Sequence, residues 1–182
     1  MSATIEVARQ RAARVKLMAF DVDGVLSDGS LFYTDDGIEI KAFNTLDGLG
    51  MKLLQRAGLK VAVITGRKAA CVERRMQNLG VELLFQGIED KLQVMRELAH
   101  TLDIPMGEAG YMGDDIVDLK IMGACGFCAT PSDGYDRVAQ YADYVSSRAG
   151  GRGAAREVCD FILEAQGKLD AMLAPYLSEE RR

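Results

Sequence analysis

Residues 15–29 read VKLMAFDVDGVLSDG. Val15–Phe20 is a short apolar run with the length and composition of a buried strand, and it stops at two carboxylates, Asp21 and Asp23, set two residues apart. Gly24 and Gly29 then let the chain turn. Comparable runs recur at Val61–Thr65, Leu83–Phe85, Ala109–Met112, Phe127–Ala129 and Tyr144–Ser146. Between them lie helical patterns at Gly48–Ala57, Lys68–Leu79, Asp90–Leu102, Ile116–Met122, Asp133–Tyr141 and Ala154–Gln166. Strand and helix in alternation predict an α/β fold, a doubly wound, Rossmann-like parallel sheet covered by helices.

One segment departs from that rhythm. SLFYTDDGIEIKAF, residues 30–43, reads as two strands joined by a turn at Asp35-Asp36-Gly37, a β-hairpin inserted over about residues 29–43. A lone two-stranded ribbon is marginal in water, so it must pack on something; another subunit is the favoured partner, which predicts an oligomer. The length of 182 residues suits one domain, 1–182, with a mobile tail over about 167–182.

Composition narrows the function. Apolar residues make up 48% and charged residues 27%, as in an ordinary globule. A net charge of −5 argues against a nucleic-acid binder. No apolar stretch reaches the roughly 18 residues of a membrane span, and the N-terminus lacks a secretory signal, so no membrane partner and a cytoplasmic setting are expected. The cysteines at 71, 125, 128 and 159 then read as reduced core thiols, because the Cys125–Cys128 pair has no second CxxC or His pair to complete a zinc site. His100, the single histidine, has no nucleophile placed beside it, which disfavours a Ser-His-Asp hydrolase.

Ligands of open α/β sheets bind at the carboxyl ends of the strands. Those ends carry Asp21 and Asp23, then Thr65-Gly66-Arg67, then Asp114-Asp115 with Asp118 a helical turn further on, while Lys91 opens the helix after the third strand. So many acids on one edge need a cation, and oxygen-only ligands favour Mg²⁺, which accepts a substrate phosphate as well. Lys91, the Thr65 hydroxyl and the N–H groups of Val22–Gly24 offer the donors that a phosphoryl transition state needs. Blander roles compete: Asp21 and Asp23 as turn formers, Thr65 as a helix cap, Lys91 as a surface lysine, Gly150-Gly151-Arg152-Gly153 as a plain connector.

DVDGVLSDG (21–29), VITGR (63–67), Lys91 and GDDIVD (113–118) stand in the order found in the haloacid dehalogenase superfamily of phosphohydrolases, which the chain resembles. The resemblance implies that Asp21 forms an aspartyl-phosphate, that Asp23 serves as general acid and then base, and that Asp21, the Asp23 carbonyl and Asp114 hold Mg²⁺, with Asp118 or Asp115 behind them. The hairpin, FNTLDGLGMKLLQRAG (43–58) and GGRGAAREV (150–158) resemble a cap-less, tetrameric branch that dephosphorylates 3-deoxy-D-manno-octulosonate 8-phosphate in lipopolysaccharide synthesis. In that branch the hairpin of one subunit covers its neighbour's site. Ser132-Asp133-Gly134-Tyr135-Asp136 departs from the branch, whose members commonly read like ADAHP there.

A carboxylated substrate calls for a guanidinium, which holds two oxygens at once, so Arg67 and Arg75 are the candidates. Gly24 and Gly66 are expected to touch substrate, and Lys41, Asn44, Asp47 and Arg152 to lie near its hydroxyls or close the site. A related nonulosonate 9-phosphate offers the same groups and stays open as the substrate. A signalling receiver domain, which also carries an Asp, a Thr, a Lys and Mg²⁺, would not need Asp23.

Overall fold

A computed structural model of the chain describes residues 2–177, with side chains from residue 5. In chain order its elements are α1 (Ser2–Ala12), β1 (Leu17–Phe20), the hairpin strands β2 (Phe32–Tyr33) and β3 (Glu39–Ile40), α2 (Thr45–Arg56), β4 (Lys60–Thr65), α3 (Ala70–Leu79) and β5 (Leu83–Gln86). There follow α4 (Lys91–Thr101), β6 (Ala109–Met112), α5 (Leu119–Ala124), β7 (Phe127–Thr130), α6 (Asp136–Ala139), β8 (Tyr144–Val145), α7 (Ala154–Ala165) and α8 (Leu169–Leu173).

Six strands form one sheet in the order β5-β4-β1-β6-β7-β8, and every neighbouring pair is parallel. Strands covered on both faces must be apolar, which is why β1 and the Val61–Ile64 stretch of β4 read as unbroken apolar runs. Successive side chains still alternate. Met18, Phe20, Val61 and Val63 meet Ala8, Met51, Leu54, Val72, Val158 and Ile162 on one face. Leu17, Ala19, Ala62 and Ile64 meet Met95, Leu98, Ile121 and Val138 on the other.

After β5 the chain crosses through α4 to β6 on the far side of β1, so the winding reverses at the centre of the sheet. That switch point is where such sheets open a crevice. It sets Asp21, Thr65 and Asp114 at or just beyond the ends of three adjacent strands.

The doubly wound sheet and the inserted hairpin match the expectation, and the differences are local. α1 was unforeseen, since among its described side chains only Ala8 and Ala12 are buried while Ile5 and Val7 stay exposed, leaving little apolar periodicity to read. The expected helix over 133–141 shrinks to α6, because the Tyr135 N–H is bound to the Asp114 carbonyl (2.8 Å). The segment from 167 is not a loose tail as far as Leu173. α8 packs Leu169 and Met172 on the core and Lys168 Nζ donates to the Ala57 carbonyl at 3.2 Å, whereas 178–182 lie outside the described residues.

The hairpin is anchored at its root by its own domain, through Tyr33, Glu39 and Lys41. Its apolar residues Leu31, Phe32, Ile38 and Ile40 nevertheless stay exposed, Ile38 by 58%.

Candidate active site

Asp21 follows the last residue of β1, held by its N–H to the Met112 carbonyl at 3.0 Å. Its Oδ1 accepts the Val22 N–H at 2.7 Å, and its Oδ2 faces Lys91 Nζ at 2.6 Å. Lys91, the first residue of α4, is buried and also donates to Asp118 Oδ1 at 2.7 Å. This ammonium is a spacer between two carboxylates, and burying it is tolerable only because it is paired on both sides.

Asp118 is fully buried and its acceptor positions are filled. Lys91 and the Tyr111 hydroxyl (2.9 Å) take Oδ1, while the N–H groups of Asp114 (3.1 Å) and Asp115 (3.4 Å) take Oδ2. A carboxylate so engaged has little left for a metal, so Asp118 orients its neighbours. Asp115 lines the mouth of the cleft, with its Oδ1 on the Ile116 N–H at 2.7 Å.

Asp114 is the opposite case. Among the described residues no hydrogen bond reaches its side chain, which lies against Gly24: a Cβ built on Gly24 would fall 2.0 Å from Asp114 Oδ2, and the glycine has φ +81°. Only glycine suits that point on both counts.

Asp21, Asp114 and Asp118 each offer an oxygen within 4.8 Å of the others. Burial pushes Asp114 up to about 7, with the charges of Asp21, Asp118 and Asp115 adding to it. Burial likewise lifts Asp21 to about 6, against the pull of Lys91. Burial also works against the Lys91 ammonium, but Asp21 and Asp118 outweigh it and hold its pKa above the ordinary lysine value. One lysine facing three acids leaves an excess of negative charge, and the two acids with lifted pKa values favour their charged forms once a hard dication arrives. The oxygen-only donors therefore fit Mg²⁺.

The surrounding cleft, of about 550 Å³, is lined by Asp21, Asp23, Gly24, Thr65, Gly66, Arg67, Lys91, Asp114 and Asp115, together with Glu89 and Val117. It thus gathers the residues that sequence motifs singled out at the strand ends, apart from Asp118, which is fully buried. Other expected substrate contacts fall elsewhere. Lys41 does not line the cleft; its side chain is buried between Asp23 and Glu39. Asn44 caps α2 through the Leu46 N–H (2.8 Å), and Asp47 caps α7 through the N–H groups of Gly153 (3.2 Å) and Arg156 (2.9 Å). Arg75 donates to the Asn44 carbonyl at 3.1 Å, and these three border a separate small void. Arg152 points outward, 3.4 Å from Asp28.

The GGRG segment braces the turn that carries Asp23. Gly151 N–H binds the Val25 carbonyl at 2.9 Å, and a Cβ on Gly150 would fall 1.8 Å from the Gly24 carbonyl oxygen. Sequence reasoning passed over Tyr111 altogether. A tyrosine inside a core strand was the available signal, because a buried hydroxyl must find a partner.

No family model matches the chain. It is similar to the 3-deoxy-D-manno-octulosonate 8-phosphate phosphatase KdsC of Escherichia coli K12, at 44% identity over 160 residues, covering 88% of this chain and 85% of that one. Among solved structures it resembles the Moraxella catarrhalis phosphatase of the same name in complex with magnesium ion, phosphate ion and KDO. There the identity is 42% and the TM-score 0.91, covering 93% of this chain and 98% of that one. The cobalt-bound deoxy-D-mannose-octulosonate 8-phosphate phosphatase of Haemophilus influenzae gives 40% and 0.85, covering 88% and 94%.

Proposed function

Because the chain belongs to the 3-deoxy-D-manno-octulosonate 8-phosphate phosphatase family within the haloacid dehalogenase superfamily, we propose that it hydrolyses that sugar phosphate to the free sugar acid and phosphate, with Mg²⁺ as cofactor. The observation that carries the reading is the charge arrangement at the end of β1: an unengaged Asp114 beside Asp21, with Lys91 and Asp118 holding both in place.

Asp21 Oδ attacks phosphorus, the ester P–O bond breaks, and Asp23 gives its proton to the departing sugar oxygen. Asp23 then takes a proton from water, whose oxygen attacks the phosphorus of the aspartyl-phosphate and frees Asp21. The sum is phosphate ester plus water giving alcohol plus phosphate. Lys91 and the Thr65 hydroxyl face the equatorial oxygens, with the Val22–Gly24 N–H groups beside them. Asp21, Asp114 and the Asp23 main-chain carbonyl would hold Mg²⁺, which when bound screens the repulsion between the attacking carboxylate and the phosphate. Gly66 leaves room at the cleft wall, and Arg67 is the guanidinium available there for the sugar carboxylate.

The reading extends to a homotetramer in the cytoplasm, in which the hairpin covers a neighbour's cleft. Its support is the exposed apolar row Leu31, Phe32, Ile38 and Ile40, together with the four free thiols. No described helix is long and apolar enough to cross a membrane.

Phosphate release from octulosonate 8-phosphate and nonulosonate 9-phosphates, each with and without EDTA, tests the reading. Mg²⁺-dependent release with the highest kcat/KM on the eight-carbon ester is expected. No release from either ester, or release indifferent to EDTA, would defeat it.

A further inference from the structure

We propose that Lys41 is the positioning residue for Asp23, fixing one carboxylate oxygen and with it the orientation of the whole carboxylate at the cleft wall; this rests on the phosphatase reading above. The Lys41 side chain is 1% exposed and pairs with both Asp23 Oδ1 and Glu39 Oε1, the latter at 2.6 Å. Glu39 Oε2 accepts from Arg67 Nη2 at 2.8 Å, and Arg67 Nε lies 3.7 Å from Asp23 Oδ2. The four charges close a ring that joins the hairpin to two cleft residues. Tyr33 adds its hydroxyl, 2.6 Å from Arg67 Nη2.

The ring treats the two oxygens of Asp23 differently. Oδ1 takes Lys41, with the Ser27 hydroxyl at 3.5 Å, whereas Oδ2 is buried and has no hydrogen-bond partner. The terminal torsion of an aspartate is soft, so an unheld carboxylate would sample a wide arc. Anchoring one oxygen sets where the other points, and a proton carrier must reach the transferred proton at hydrogen-bond distance. Glu39 lies on the same hairpin as Lys41, so it is the pair with Asp23 that carries the hairpin's charge to the strand-end acid. The Lys41 side chain is buried between those acids and does not line the cleft.

The test compares wild type with Lys41→Met and Lys41→Arg on octulosonate 8-phosphate and on p-nitrophenyl phosphate. p-Nitrophenolate leaves without a proton donor, so with this ester only the hydrolysis of the aspartyl-phosphate depends on a well-placed Asp23. Lys41→Met should lower kcat on the sugar phosphate about 10- to 100-fold with KM within about twofold, a size typical of residues that orient a reacting group. On p-nitrophenyl phosphate it should give a burst of nitrophenolate followed by slow turnover, larger than any in wild type. Lys41→Arg, which keeps the charge, should recover most of kcat and suppress the burst, and it carries the test should Lys41→Met fold poorly. Unchanged kcat, a rise in KM alone, or a loss without a burst would overturn the proposal. Wild type that releases phosphate from p-nitrophenyl phosphate and not from the sugar ester would defeat the substrate assignment instead, leaving the burst comparison to judge Lys41.

Discussion

Asp21 and Asp118 flank the same lysine, yet their replacement should differ in its effect on stability. Asp21→Asn removes the proposed nucleophile while Lys91 keeps Asp118 as its ion-pair partner at 2.7 Å. Turnover is expected to fall about 10⁴-fold or more, with little change in the denaturant midpoint. Asp118→Ala strips Lys91 and Tyr111 of a shared buried acceptor and frees two N–H groups. That change should cost about 3 kcal/mol in chemical denaturation as well as activity. Asp114 carries the pH dependence. With its pKa lifted to about 7, the metal-free folded chain binds a proton more tightly than the unfolded chain does. The resulting destabilisation is therefore absent below the ordinary aspartate range near 4 and complete above about 7. Thermal melts without metal should rise as pH is lowered from 8 to 5.5, with Asp21, lifted to about 6, acting in the same sense. Because Mg²⁺ binds the deprotonated carboxylate, the melting shift it produces should be larger at pH 8 than at pH 5.5. An equal shift at both values would remove Asp114 from the metal site.

Elements bear on the site through their ends. The N-terminus of α7 is capped by Asp47 from the start of α2, a contact between residues 106 and 109 apart in sequence. Asp47→Ala should lower stability by about 1–2 kcal/mol, as for other lost caps, with kcat/KM of the folded protein within about twofold of wild type. A selective loss of activity would instead restore Asp47 to the substrate. The same α7 end is fed by Gly150–Gly153, so the turn carrying Asp23 and the helix behind it are braced together. The blander alternative of a plain connector does not account for this, because the close approach of Gly150 to Gly24 joins segments with no local relation in the chain.

At the scale of the whole molecule the hairpin is the unfinished surface, its root tied to Asp23 and Arg67 and its apolar side chains facing outward. Contiguous exposed apolar residues mark interfaces. Wild type is expected to run as a tetramer in light scattering, and Phe32→Ser with Ile38→Ser should shift it towards monomer and lower turnover by uncovering the cleft. A monomeric wild type with full activity would end that account. The alternation of apolar runs and helical stretches, and the acids, Thr65 and Lys91 at the strand ends, were legible in the chain, because strand period, turn residues and strand-end chemistry are local properties. Asn44, Asp47 and Arg75 looked like substrate contacts for the same reason that made the motifs readable: they are polar residues near the motifs in sequence. Only the folded arrangement made caps of Asn44 and Asp47, set Arg75 on the Asn44 carbonyl, and separated Asp114, whose side chain no hydrogen bond reaches among the described residues, from Asp118, whose acceptors are engaged. Hydrogen-bond saturation and charge balance depend on which distant segments meet, and one-dimensional spacing carries no record of that.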